Sequence, residues 1–91
     1  MTMHKFTNEE LQQIVGCKVL PNAADLVNAV DDTWISIYDS LPEANSTIEI
    51  RGYSPFRNVW TERFCHFTTL KKFLTFTCYH INGVTHWRYQ D

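Results

Sequence analysis

The sequence predicts an α+β fold, in which two short N-terminal helices pack on one face of a four- to five-stranded antiparallel sheet. Three observations predict it. The spacing of apolar residues changes from about 3.6 to about 2 after Thr33, helix-capping residues lie before that point, and turn-forming residues lie after it. We therefore expect a single domain over residues 1–91, with a helical part in residues 1–33 and the sheet in residues 34–91.

Two helices are predicted in the first part of the chain. The first covers residues 8–15, because Thr7 and Glu10 form a capping box and Gly16 provides a left-handed stop. The second begins after Asn22, a helix-capping residue, and ends at the adjacent aspartates that follow its apolar stripe. Negative charges are unfavourable at the negative end of a helix dipole, so we expect the helix to terminate there.

The rest of the chain predicts strands joined by turns. An extended segment begins at Trp34 and breaks at Pro42, because proline fixes its own φ and restricts the residue before it. Alternating apolar residues then predict strands over residues 47–53, 58–69 and 73–81. The sequence SPFRN between the first two of these strands is typical of a turn.

The dipeptide Asn82-Gly83 lies between residues that favour strands and predicts a two-residue type I′ hairpin. This turn would pair residues 73–81 with the last strand and place Cys78 opposite Trp87. One face of the hairpin then joins the core through Trp87. The other face carries Phe73, Tyr79, Ile81, Val84, His86 and Arg88.

The composition is typical of a folded chain, with 44% hydrophobic and 20% charged residues. The net charge is −2 and the basic residues are scattered, whereas nonspecific binding to a nucleic acid duplex usually needs a basic stripe. An odd number of cysteines, without the apolar core of a signal peptide near the N-terminus, predicts reduced thiols in the cytosol. No apolar run reaches the roughly 18 residues that span a bilayer, so we expect no contact with a membrane.

Two motifs resemble those of a known family. Residues 34–43 read W-I-S-x-x-D-x-L-P-E, and residues 84–87 read V-T-H-W. In these motifs the chain resembles a family of small phage and prophage proteins, a domain of unknown function. The resemblance covers residues 34–87 and implies a phage-borne accessory protein in the host cytoplasm, with no assigned reaction. The signature residues are Trp34, Asp39, Leu41, Pro42 and Trp87.

We interpret the signature residues as structural. A buried tryptophan contributes a large apolar area while its indole N–H reaches a carbonyl. Asp39 and Ser40 precede Pro42 and can accept the backbone hydrogen bonds that shape a turn. A ligand pocket lined by Trp34 and Trp87 is the alternative.

Cysteine and histidine residues near the predicted strands offer the ligand types of a zinc site. These residues are Cys65, His66, Cys78 and His80. Their spacing differs from that of zinc ribbons and fingers, and Cys65 and His66 face opposite sides of one predicted strand. The sequence also contains no nucleophile motif, phosphate loop or clustered carboxylate motif. We therefore predict no metal, no cofactor and no catalytic residue.

Four aromatic residues on the predicted strands resemble a stacking platform for single-stranded nucleic acid. They are Trp60, Phe64, Phe73 and Tyr79. Such platforms are normally ringed by lysine and arginine, and few basic residues lie near these four. Binding to single strands is therefore a minor alternative, and we expect no nucleic acid partner.

The hairpin face opposite to Trp87 is too apolar for open water and is the predicted binding surface. Exposed apolar patches rimmed by polar groups usually mark interfaces, and aromatic residues with arginine often anchor them. We predict that Phe73, Tyr79, His86 and Arg88 contact a host protein or a second copy of the chain. The alternative is that the SPFRN loop folds over this face and completes a monomeric core.

The predicted function is the non-catalytic binding of a host protein, as in host takeover or inhibition of a defence factor. Two alternatives stay open. One is a small-molecule binder, such as a nucleotide sponge that stacks bases on tryptophan and tyrosine. The other is a structural or replication accessory protein.

Overall fold

The computed structural model describes residues 4–90, so residues 1–3 and 91 of the predicted domain lie outside the described residues. The predicted α+β fold is confirmed, with two short helices and an antiparallel sheet of five strands in order β1-β5-β2-β3-β4. The elements are α1 (Asn8–Val15), α2 (Ala23–Asn28), β1 (Ile35–Ser36), β2 (Thr47–Ser54), β3 (Asn58–Phe67), β4 (Phe73–Leu74) and β5 (Val84–Tyr89).

Helix α1 begins and ends as its sequence predicts. The Thr7 hydroxyl accepts from the Glu10 backbone N–H at 3.1 Å, and the Glu10 carboxylate accepts from the Thr7 N–H at 2.9 Å. This reciprocal bonding satisfies two N–H groups that the first helical turn leaves free, and the backbone hydrogen bond from Thr7 lowers the pKa of the Glu10 carboxyl. Gly16 ends the helix with a φ of 78°.

Helix α2 is capped by residues from other elements. The predicted capping residue Asn22 makes no side-chain cap bond. The Asn8 side chain of α1 accepts from the Ala24 N–H at 2.9 Å instead. At the other end, the Arg51 guanidinium of β2 donates to the carbonyls of Leu26 at 2.9 Å and Ala29 at 3.4 Å. A helix of six residues is too short to be stable alone, so α2 depends on these contacts.

The prediction of a hairpin around Asn82-Gly83 is wrong. Strand β5 pairs with β1 on one side and with β2 on the other, so neither of its edges is free to pair with residues 73–81. Those residues fold back on themselves, since the Ile81 N–H donates to the Phe73 carbonyl at 2.9 Å. Only Phe73–Leu74 of the predicted strand forms a strand, and it pairs with β3.

Each face of the sheet packs against its own hydrophobic cluster. The helices contribute Leu11, Ala23 and Val27 to the cluster on one face, where they meet Tyr53 of β2. The cluster on the other face is made mainly of strand residues. It contains Ile48, Ile50, Trp60, Cys65, Phe67, Phe73, Val84 and Trp87.

The sheet face opposite to the helices is covered by two loops, one after β1 and one before β5. Ile37 and Ile81 pack against its cluster, and the indole N–H of Trp87 donates to the carbonyl of Ser40 at 2.8 Å. The SPFRN loop does not cover a face as the alternative proposed. It forms the turn between β2 and β3, where the Ser54 hydroxyl accepts from two backbone N–H groups and Phe56 is 95% exposed.

Across residues 4–90, neither helix has the length and apolar character needed to cross a membrane. The longer of the two, α1, has eight residues.

Candidate functional site

The four residues predicted to bind a partner do not share a surface. Phe73 is buried against Phe67, with 4.9 Å between the ring centroids. His86 is fully buried, Arg88 is half-buried, and Tyr79 is 72% exposed. The prediction placed them on one face of a hairpin that does not form. Of the four residues, Tyr79 is therefore the exposed one, whereas Phe73 and His86 lie in the interior.

The His86 side chain lies beneath the N-terminal segment on the helix side of the sheet. Its Nδ1 shares a 2.8 Å hydrogen bond with the Thr85 hydroxyl, and its ring meets the Phe6 ring edge-on at 5.3 Å. Burial, and then the nearby Arg51 guanidinium, lower the pKa of His86 to about 4. His86 is therefore neutral at physiological pH, and it lies in the interior instead of at the predicted interface.

The signature residues hold connecting segments against the sheet. Trp87 is buried and reaches the Ser40 carbonyl, as described above, and Pro42 is buried beside that segment. The Asp39 carboxylate accepts from the backbone N–H of His4 at 2.8 Å, which ties the N-terminal segment to the chain after β1. Leu41 is partly exposed. The two signature tryptophans have different neighbours, since Trp34 lies against the Arg88 guanidinium and the Trp87 ring meets Tyr89 edge-on.

Residues 64–79 form the most exposed apolar region and are called here the apolar segment. Its exposed members are Phe64, Leu70, Phe76 and Tyr79, and Phe76 is 76% exposed. The Phe76 ring stacks on His66 of β3, with centroids 6.4 Å apart and planes at 28°. The Thr75 N–H donates to the Tyr79 carbonyl at 2.8 Å. The segment is thus folded, and three of its aromatic side chains, Phe64, Phe76 and Tyr79, are exposed.

The backbone of the apolar segment adopts an uncommon conformation at three positions. Phe64, Lys71 and Cys78 have φ values of 59°, 59° and 69°, in the left-handed region that favours glycine. Such conformations cost about 1–3 kcal/mol each and cluster at functional sites. The sequence interpretation missed the segment because it treated most of it as strand. Residues 68–72 read TTLKK and contain no glycine, proline or asparagine, so the turn that the Thr68, Lys71 and Lys72 backbones form carries no sequence signal.

A second feature is a cleft of about 510 Å³ lined by residues of β1, β2, β3 and β5, called here the arginine cleft. Glu49 lies between two arginines. Its carboxylate accepts from Arg88 Nε at 2.8 Å and lies 3.7 Å from Arg63 Nε. The Arg88 guanidinium also lies 4.2 Å from the centre of the Trp34 ring. The lining residues are Thr33, Ile35, Glu49, Arg63, Arg88, Tyr89 and Gln90.

The cysteine and histidine residues considered for zinc are separated. Cys65 is buried in the core, where burial raises the pKa of its thiol to about 11, while Cys78 and His80 are exposed. His66 stacks on Phe76. Within residues 4–90, histidine, cysteine and carboxylate side chains form no group of three that could hold a metal ion.

The aromatic residues considered for stacking nucleic acid bases are divided in the same way. Trp60 and Phe73 are buried, whereas Phe64 and Tyr79 are exposed. They do not form one platform. The two exposed rings belong to the apolar segment.

In comparisons with known proteins, the chain matches a family whose function is not assigned. A protein-family model with the description "Protein of unknown function (DUF551)" matches residues 33–89, which is more than half of the 91 residues. No curated protein and no solved structure matches the chain. The matched region includes all five strands, the apolar segment and both arginines of the arginine cleft.

Proposed function

The chain belongs to the DUF551 family, whose description assigns no function, and we propose that it is a non-catalytic protein of a phage or prophage that binds a host protein through the apolar segment. Binding would take place in the host cytoplasm and would inhibit or redirect its partner, as in host takeover or inhibition of a defence factor. The resemblance of the two signature motifs to phage proteins supports this origin. The exposed aromatic residues support the mode of action.

The observation that carries the proposal is the exposure of Phe76 and Tyr79. They are 76% and 72% exposed, although each lies only a few residues from the buried Phe73. Aromatic side chains contribute large contact areas at low conformational cost, and tyrosine is enriched among residues that dominate binding energy. Exposed apolar groups this close together favour a partner surface over open water.

The charge near the apolar segment favours a protein partner. Lys71 and Lys72 are its two adjacent basic residues, and the whole chain has a net charge of −2. Stable electrostatic binding to phosphates of nucleic acid needs several basic contacts on one surface. An apolar surface with two cations at its rim fits a protein that presents an apolar groove with acidic neighbours.

The experiment compares capture of a host protein by three tagged forms of the chain. These are the wild type, the double variant Phe76→Ser/Tyr79→Ser, and the control Phe56→Ser. Phe56 is a matched control because it is also an exposed aromatic residue and lies in the turn at the other end of β3 from His66. We expect the wild type and the control to recover the same host protein in equal amounts. The double variant should recover at least about tenfold less.

Purified proteins then test the complex directly. The free energy of unfolding of the double variant should stay within about 0.5 kcal/mol of wild type, because both residues are exposed. Light scattering of the reconstituted complex should give one partner per chain. Equal recovery by the double variant would contradict the assignment to the apolar segment. A wild-type dimer that dissociates in the double variant would assign the segment to a second copy of the chain.

The arginine cleft favours a second candidate, a small-molecule binder. Its volume of about 510 Å³ lies in the range of small-ligand sites. Trp34 is covered by Arg88 and is not free to stack on a nucleotide base, so the cleft supports recognition of an anionic group better than recognition of a base.

A further inference from the structure

We infer that the arginine cleft binds a small oxyanion, a carboxylate or phosphate group. This site is independent of the host-protein interface, because none of the residues that line it belongs to the exposed aromatic set of the apolar segment. Three features of the cleft support the inference: its two guanidinium groups, the fixed position of Arg88, and the freedom of Arg63.

Two guanidinium groups line the cleft. Glu49 is the carboxylate among the described residues of the lining, and it faces Arg63 and Arg88. Asp31 also lies near enough to Arg88 to respond to its charge, and its carboxylate is hydrogen-bonded to Thr33. The cleft thus offers two cationic donors to an anion.

The Arg88 side chain is already held in place. Its Nε donates to Glu49 at 2.8 Å, its Nη1 donates to the Thr33 hydroxyl at 2.6 Å, and its plane lies over Trp34. A guanidinium has five N–H groups, so donors remain for a ligand after these two hydrogen bonds. Because the side chain is fixed before binding, a ligand does not have to order it, and this favours affinity.

Arg63 provides a second and more mobile donor. Its side chain is 64% exposed, and the 3.7 Å separation from Glu49 is longer than a hydrogen bond. A salt bridge of this geometry contributes little. Arg63 is therefore able to turn toward an incoming oxyanion and bind two of its oxygens with parallel N–H groups, the geometry in which arginine recognises carboxylate and phosphate.

The test is a titration of isotope-labelled protein with inorganic phosphate and, separately, with citrate at constant ionic strength. Nuclear magnetic resonance follows the Trp34 indole N–H and the Gln90 side-chain amide. We expect saturable shifts at these two groups. The variant Arg63→Gln should weaken binding by about fivefold or more, the loss of one charge-assisted contact.

The matched control is Arg57→Gln. Arg57 is 60% exposed, lies 3.7 Å from Glu62 and lies over Trp60, so its surroundings resemble those of Arg63 but belong to another cleft. Binding by this variant should stay within about twofold of wild type. Saturation with phosphate, with citrate or with both supports the inference and identifies the group. Shifts that stay linear in both titrations, or equal weakening by the two substitutions, would overturn it.

Discussion

Gly83 and Gly16 have similar backbone angles and different surroundings. Their φ values are 82° and 78°, in the region that non-glycine residues avoid. A Cβ added to Gly16 meets nothing within 4 Å, whereas a Cβ added to Gly83 lies 2.5 Å from the carbonyl oxygen of Tyr53. Position 83 therefore requires glycine for two reasons, its positive φ and the close approach of β2.

This difference predicts the stability of two alanine variants. Gly16→Ala should lower the free energy of unfolding by about 1 kcal/mol, the cost of the left-handed conformation alone. Gly83→Ala should lower it by about 3 kcal/mol or more, because β2 must also shift. Urea denaturation measures both values. Equal losses for the two variants would show that Gly83, which precedes β5, does not approach Tyr53 of β2 as described.

The buried His86 predicts how stability depends on pH. Its pKa is lowered to about 4 in the folded protein, mainly by burial, and is about 6.5 in an unfolded chain. Between these values the unfolded state binds more protons, so the free energy of unfolding falls as the pH falls from 6.5 to 4. The loss attributable to His86 should reach about 3 kcal/mol.

Urea denaturation between pH 7.5 and pH 4 measures this loss. The variant His86→Gln, which does not titrate, should lack this part of the slope, while His80→Gln should retain it because His80 is exposed. A wild-type slope no steeper than that of His86→Gln would show that His86 is not buried as a neutral side chain.

At the scale of elements, helix α2 depends on a residue of the sheet. Arg51 of β2 donates to the carbonyls of Leu26 and Ala29, and burial lowers the pKa of its guanidinium. Arg51→Met should lower the free energy of unfolding by about 1–3 kcal/mol through loss of these bonds. Amide hydrogen exchange should accelerate more in α2 than in α1.

The control for this prediction is Arg57→Met, which removes an exposed ion pair with Glu62. It should change stability by no more than about 1 kcal/mol and leave exchange in α2 unchanged. If Arg51→Met accelerates exchange equally in both helices, the hydrogen bonds from Arg51 do not stabilise α2 in particular.

The sequence predicted those elements whose signals are local. The capping box of α1 involves residues three apart, and β2 and β3 are joined by a short turn, so each could be predicted from neighbouring residues. The Asn82-Gly83 hairpin was also a local prediction, but β5 found its partners in β1 and β2 instead. Pairing between distant segments has no sequence signal of this kind.

The candidate sites were less predictable for the same reason. Glu49 and Arg88 meet because β2 pairs with β5, and Arg63 joins them because β3 pairs with β2. The three residues are far apart in the sequence. Tyr79 was predicted as a partner residue and is exposed, but Phe76, which lies on the opposite face of the predicted strand from Tyr79, is exposed as well. Burial of each residue in this region depends on which strand lies beside it.

For the molecule as a whole, the two hydrophobic clusters should unfold together. They lie on opposite faces of one sheet, and Ile37 packs against both. Leu11→Ala removes a fully buried side chain from the helix-side cluster and should lower the free energy of unfolding by about 2–5 kcal/mol. Trp60 and Trp87 lie in the other cluster. Their fluorescence should nevertheless report the same shifted midpoint as circular dichroism.

Coincident transitions by the two probes would be the behaviour of a two-state domain. A helix signal that melts before an unchanged tryptophan transition would contradict the prediction, because it would show that the sheet and its second cluster are stable without the helices.

The position of β5 in the sheet also determines how late β1 finds its partner during translation. Strand β1 begins at Ile35 and pairs with β5, which begins at Val84, so about 49 residues must be added before β1 has a partner. At the usual rate of synthesis this takes roughly 2–10 seconds. Once β3 has been added, the β2–β3 hairpin still has the β5 side of β2 unpaired. The nascent chain is thus open to chaperones, and to misassembly with its neighbours on a polysome, until β5 emerges.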